Sequence, residues 1–194
     1  MRKKKIKIKI QENTFVSVGN CSREAIDSLR KIGTLRVKGN IGLVSCTGLP
    51  DDLKVSGSLF FQYCAGLMKL PKVLVVGQRL DLEDCTGITE LPEGLVVGGS
   101  LILSNCEGLT ELPDDLIVRK DLNLSNCTGL TELPDGLIVR KDLDLRGCEG
   151  ITKLPKDLQV VGKIWYNSVT GFSKSKDKRG VIPNHLKERL KRWH

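Results

Sequence analysis

Apolar positions recur along this chain in a fixed order. From Leu101 the pattern is L-x-L-x-x-C-x-G-L-T-x-L-P-x-x-L-x-V, and it returns at Leu122, 21 positions later, with few changes. A repeat at fixed spacing decides the architecture ahead of any local propensity. Residues 80–100, 101–121, 122–142 and 143–163 fit the frame without gaps, and 59–79 fits with Phe61 in the second Leu slot. Residues 35–58 fit with three extra residues around Val44 to Thr47, which puts Asn40 in the Cys slot and Cys46 out of register. Residues 164 to about 192 fit at both ends around a seven-residue insertion, with Ile164, Tyr166 and Phe172 in core slots. Two residue types test the frame. All seven prolines fall in the one L-P slot, and five of the seven cysteines (Cys64, Cys85, Cys106, Cys127, Cys148) fall in one slot.

The L-x-L alternation has the period of a strand, so Leu101 and Leu103 face one side and Ile102 the other. One coil cannot bury its apolar face alone, whereas stacked coils close a continuous core. The strands then form a parallel sheet with roughly 4.8 Å between chains, and about seven coils give a solenoid on the order of 30 Å long. Glycine after the Cys slot admits a turn that a Cβ would hinder, and proline fixes φ where no ladder bond is needed. About 21 residues per coil leave the return side extended or 3₁₀. The ladder cysteines point inward as small apolar side chains with a weak S–H donor. Cys21 and Cys46, off the ladder, are the thiols expected to be exposed.

The L-x-L-x-x-C unit resembles the leucine-rich repeat over roughly residues 35–192. The short repeat with its L-P step is similar to the class found in bacterial and phage proteins and in secreted bacterial effectors. The resemblance implies an α/β repeat solenoid: a curved leucine-rich-repeat structure with a parallel β-sheet on the concave face, an extended or 3₁₀ convex side, and short terminal caps. It also implies a non-enzymatic protein-interaction module, or the substrate-recognition part of an effector without its catalytic domain.

The ends differ from the middle. Residues 1–33 read as an N-terminal cap: a β-hairpin from Ile6, Ile8 and Ile10 with Phe15 to Val18, then a short helix over 22–32 capped by Ser22. The solenoid runs over 34–172. Residues 173–194 read as a basic loop and a capping helix from Pro183, with Leu186, Leu190 and Trp193 on one face. The net charge of +8 is uneven: residues 1–9 carry six Lys or Arg and no acid, and 173–194 carry eight with two acids. The middle is therefore 8 − 6 − 6, or −4. Basic ends point to solubility and, as a second reading, to nucleic acid or an anionic membrane surface. The N-terminus has no apolar stretch of secretory-signal type, and no apolar run reaches membrane-spanning length. A reducing cytoplasm, or delivery into a host cytosol by a specialised secretion system, is the expected location.

Candidate chemistry is sparse. There is no CxxC pair, no phosphate-binding glycine loop, and only His185 and His194, both in the basic tail. No catalytic, cofactor or metal set is expected, nor a small-molecule substrate. The expected partner is a protein bound by a monomer on the concave face, where residues that do not serve the core are free to vary. Between the core positions the row runs Phe60, Asp81, Ile102, Asn123, Asp144 and Trp165, preceded by Arg36. The next row contributes Glu83 and Arg146, with Lys38 at its start, and flanking positions add Tyr63, Arg79, Asp121 and Asp142. Aromatic side chains are common interface anchors, and the carboxylates suit a basic partner.

Overall fold

The computed structural model describes residues 16–18, 36–37, 40–49, 53–62, 64–167 and 190–192. Over these residues the chain is a β-solenoid of about six turns, built from two parallel sheets and no helix. The first sheet has nine strands in chain order: Val16–Val18, Ile41–Val44, Leu59–Gln62, Leu80–Asp81, Leu101–Ile102, Leu122–Asn123, Leu143–Asp144, Ile164–Tyr166 and Leu190–Arg192. The second has seven: Arg36–Val37, Lys54–Val55, Val75–Val76, Val96–Val97, Ile117–Val118, Ile138–Val139 and Gln159–Val160. The return side is thus extended, and its short strands pair into a sheet of their own. Its two-residue strands come from the x-V step, with Val97, Val118 and Val139 buried in the core.

Three turns close each coil. The first is L-x-x-C, in which the Cys106 N–H donates to Leu103 O at 3.1 Å and the Cys127 N–H to Leu124 O at 3.0 Å. Its third residue is left-handed: Asp84, Asn105 and Asn126 have φ of 58°, 60° and 59°, and Gly147 has 76°. Asn and Asp tolerate this region better than other non-glycine residues, and they stack into a column. Asn105 Nδ2 donates to Asp84 Oδ1 at 2.8 Å, and Asn126 Nδ2 to Asn105 Oδ1 at 2.9 Å. The second turn is C-x-G-L. Its glycine is required by the neighbouring coil rather than by φ, because a Cβ on Gly108 would lie 2.4 Å from Thr86 O. The third is P-x-x-L, where the Leu95 N–H donates to Pro92 O at 3.0 Å.

The core is one column of Leu, Val, Ile and Cys from Ile41 to Tyr166. A leucine such as Leu103 or Leu124, fully buried, contributes about 1.5–3 kcal/mol by leaving water. The ladder thiols sit in this column and satisfy backbone carbonyls one coil back. Cys106, Cys127 and Cys148 Sγ donate to Leu82, Leu103 and Leu124 O at 3.1, 3.0 and 2.8 Å.

The structure changes the register of the first coil. Ile41–Val44 pairs with Leu59–Gln62, Ile41 opposite Leu59, so the coil preceding Leu59 is three residues short, not three long. Cys46 therefore belongs to the ladder: it is fully buried, and its N–H donates to Cys64 Sγ at 3.1 Å. The expectation of an exposed thiol at Cys46 is wrong because the insertion was placed inside the coil. Asn40 leaves the Cys slot and stands before the strand, where its Oδ1 accepts the Ser58 N–H at 2.7 Å. Arg36 belongs to the second sheet, opposite Lys54. At the N-terminal end Val16–Val18 pairs parallel to Ile41–Val44, in the first sheet. At the other end Leu190–Arg192 pairs parallel to Ile164–Tyr166, so a strand stands where the capping helix was expected to carry Leu190. Cys21, the hairpin partner 6–10, the helix 22–32, the loop 173–179 and the rest of the C-terminal helix lie outside the described residues. No described helix is long and apolar enough to cross a membrane.

Candidate partner-binding face

Each rung of the first sheet turns one side chain outward between its two core positions. Strand register aligns Phe60, Asp81, Ile102, Asn123, Asp144 and Trp165 in a single row. At roughly 4.8 Å per rung the row is about 24 Å long. Gly42 precedes Phe60, in the place expected for Arg36. Tyr63 and Lys38 lie outside the described residues.

Much of this row also closes the turn at the strand's end. Asp81 Oδ1 accepts the Glu83 N–H at 3.2 Å, Asn123 Oδ1 the Ser125 N–H at 2.9 Å, and Asp144 Oδ1 the Arg146 N–H at 3.1 Å. Short polar side chains bond their own backbone two residues on in this way. The other carboxylate edge holds an arginine in two places. Arg79 Nε and Nη2 donate to Asp81 Oδ2 at 3.0 and 2.6 Å, and Arg146 Nε and Nη2 donate to Asp144 Oδ2 at 3.0 and 2.5 Å. The hydrogen bond it donates to Asp144 raises the Arg146 pKa further, against the opposing effect of partial burial. Half-exposed pairs of this kind contribute about 1 kcal/mol or less, so their main effect is to fix the guanidinium planes.

The residues before each strand form a second line, and here the carboxylates join coils. Asp121 accepts the Ser100 hydroxyl at 3.1 Å and the Asp142 N–H at 3.3 Å. Asp142 accepts the Lys163 N–H at 2.8 Å and Trp165 Nε1–H at 3.5 Å. Lys163 Nζ lies 5.5 Å from the Trp165 ring centroid, within reach of a cation–π attraction. On the far side, Ser104 Oγ donates to Glu83 Oε1 at 3.1 Å. Ile102 is only 9% exposed although it points away from the core.

The predicted residues thus fall into two groups on one face. Asp142, Asp144, Arg146 and Trp165 gather at one end, and Phe60, Arg79, Asp81 and Glu83 at the other. Ile102, Asn123 and Asp121 lie between them. Sequence reasoning missed Lys163, which occupies the same slot as Asp121 and Asp142. It also missed an apolar row on the second sheet, where Val96 and Ile117 are 49% and 47% exposed. The signal was there: the V-V and I-V steps carry two β-branched residues, and the core needs only the second.

Among the described residues no group of His, Cys, Asp and Glu could hold a metal ion. Burial pushes the Cys106 and Cys148 thiols up to about 12, opposed in part by the Cys85 and Cys127 backbone amides. Burial raises Cys85 and Cys127 as well. None of these four is a thiolate at neutral pH. No protein-family profile, curated protein sequence or solved structure matches the chain.

Proposed function

We propose that the protein is a non-enzymatic interaction module of leucine-rich-repeat type. In this reading the first sheet lines the concave side of the solenoid and takes a protein partner there. One observation carries it. Core and turn slots repeat almost unchanged from coil to coil, whereas the outward row runs Phe60, Asp81, Ile102, Asn123, Asp144, Trp165. The polar members of this row and Trp165 are held by hydrogen bonds to their own turns and to neighbouring coils, so a partner would meet a surface already partly ordered, at a reduced entropic cost. Trp165, braced by Asp142 and Lys163, is the expected anchor at one end and Phe60 at the other.

Affinity capture from a lysate at two salt concentrations, with and without nuclease, tests this reading. A defined protein that survives nuclease and higher salt is expected, with Trp165→Ala weakening its binding about tenfold or more. Capture of nucleic acid alone, lost at higher salt as counterion release requires, would overturn it and leave the solenoid as a spacer between basic ends.

A further inference from the structure

The L-P edge of the solenoid carries a groove of about 630 Å³ that crosses coils from Lys69 to Pro134. Its floor is apolar, formed by Leu91, Leu112, Pro113 and Pro134. Its rims are two columns at 21-residue spacing. One runs Lys69, Glu90, Glu111, Glu132, Lys153, and the other Lys72, Glu93, Asp114, Asp135, Lys156, with Asp135, Lys153 and Lys156 continuing the columns beyond the groove. Each reads plus, minus, minus, minus, plus, and all ten side chains are exposed. Beyond the second rim lies a smaller dent of about 260 Å³, lined by Glu93 and Asp114 and by the exposed Val96 and Ile117.

Six carboxylates on three adjacent rungs, roughly 4.8 Å apart along the stack, repel one another as like charges. Among the described residues only Glu90 of the six has a cationic partner, Lys69 at 3.1 Å. The edge therefore offers an acidic line beside an apolar one. An extended segment that alternates cationic and apolar residues presents two such lines, because successive side chains point to opposite sides.

We propose that this edge is a docking site for the chain's own residues 3–10, KKKIKIKI. Lys5, Lys7 and Lys9 span about 13 Å when extended, and the three acidic rungs span about 10 Å. Ile6, Ile8 and Ile10 then face the Val96 and Ile117 ledge. Along the solenoid axis the segment is long enough within one molecule. The rung of Leu101, which follows Val96, is four steps, about 19 Å, along the sheet from the strand at Val16. The eight residues from Ile8 to Val16 extend to about 27 Å.

The test is zero-length carbodiimide cross-linking of the full chain over a dilution series, with the linked peptides mapped by mass spectrometry. The expected result is isopeptide bonds from Lys5, Lys7 or Lys9 to the acids of the two columns, in monomeric protein and with a yield independent of dilution. The double variant Glu93→Lys with Asp114→Lys, shown to keep its unfolding midpoint, removes two of the six acids and places cations beside the others, and is expected to lower the yield of those bonds several-fold. Absence of these cross-links in the native chain overturns the proposal. So does their confinement to dimers, which would assign the groove to a second copy, or their formation by Lys174, Lys176 and Lys178 instead.

Discussion

The cysteine corner and the proline edge are built by the same device and have opposite electrostatics. At the corner, each rung repeats a neutral side chain that donates to or accepts from the next: the thiols Cys106, Cys127 and Cys148, and the amides Asn105 and Asn126. At the edge, each of three rungs repeats a carboxylate pair, Glu90 with Glu93, Glu111 with Asp114, Glu132 with Asp135. A repeat turns every slot into a column. A dipole gains from being copied along a column, because one rung's donor meets the next rung's acceptor. A charge does not. Stacked amides and thiols need nothing further, while stacked carboxylates are a cost that a counter-charge can offset.

The contrast is open to attack from both sides. The neutral column is most exposed to alkali. Cys85, Cys106, Cys127 and Cys148 have folded pKa values raised by burial from 9.0, Cys106 and Cys148 to about 12. The unfolded chain therefore loses these protons first, so their contribution is fully present below about pH 9 and is lost as pH rises toward 12. Each thiol contributes a slope of about 1.4 kcal/mol per pH unit in that window, and four together about 5. Denaturant unfolding at stepped pH measures it, and a stability independent of pH above 9 would contradict the buried ladder. The same column should break when its coils are forced apart. A Cβ on Gly129 would sit 2.6 Å from Glu107 O and 2.7 Å from Leu109 O, so Gly129→Ala is expected to cost about 2–3 kcal/mol in urea unfolding. Asn105→Ala removes both rungs of the amide column and leaves a non-glycine at positive φ, at a cost of about 1–2 kcal/mol. Asn105→Gly should recover part of that loss. The smallest effect concerns the charged column, and its sign is informative. Glu111→Gln should cost about 0.5 kcal/mol in the full chain. It should gain a similar amount where Lys5, Lys7 and Lys9 have been changed to Gln, since only repulsion then remains. Equal effects in the two backgrounds would separate the segment from the groove.

The 21-residue frame, the inward cysteines, the parallel pairing and the outward row from Phe60 to Trp165 were all legible, because each follows from a periodicity or a repeated slot. The second sheet was not. A two-residue strand has no alternation to detect, and Val96 beside Val97 reads as plain apolar sequence until the coil is closed. The first coil was misread for a related reason. Gly42 resembles a turn residue more than a strand residue, so a three-residue shortfall looked like an insertion, and Cys46 with Arg36 moved with it. At the outward face sequence supplied which residues are displayed but not their engagement. Asp121 and Asp142 read as free carboxylates, and only the stacking of coils shows them holding Ser100, Lys163 and Trp165.

The near-identity of residues 101–121 and 122–142 also bears on how the chain finds its register. A rung of one can pair with its neighbour's neighbour at nearly the same energy, so during folding the strands of the middle can slip by a whole coil with little to oppose them. What opposes it is irregularity. The short coil from Ile41 to Ser58, three residues below the period, fits nowhere else in the stack, and Gly147 ends the amide column where a Cβ would lie 2.1 Å from Asn126 Oδ1. These two defects act as addresses, one at each side of the uniform centre, and they give an otherwise interchangeable stack a single order.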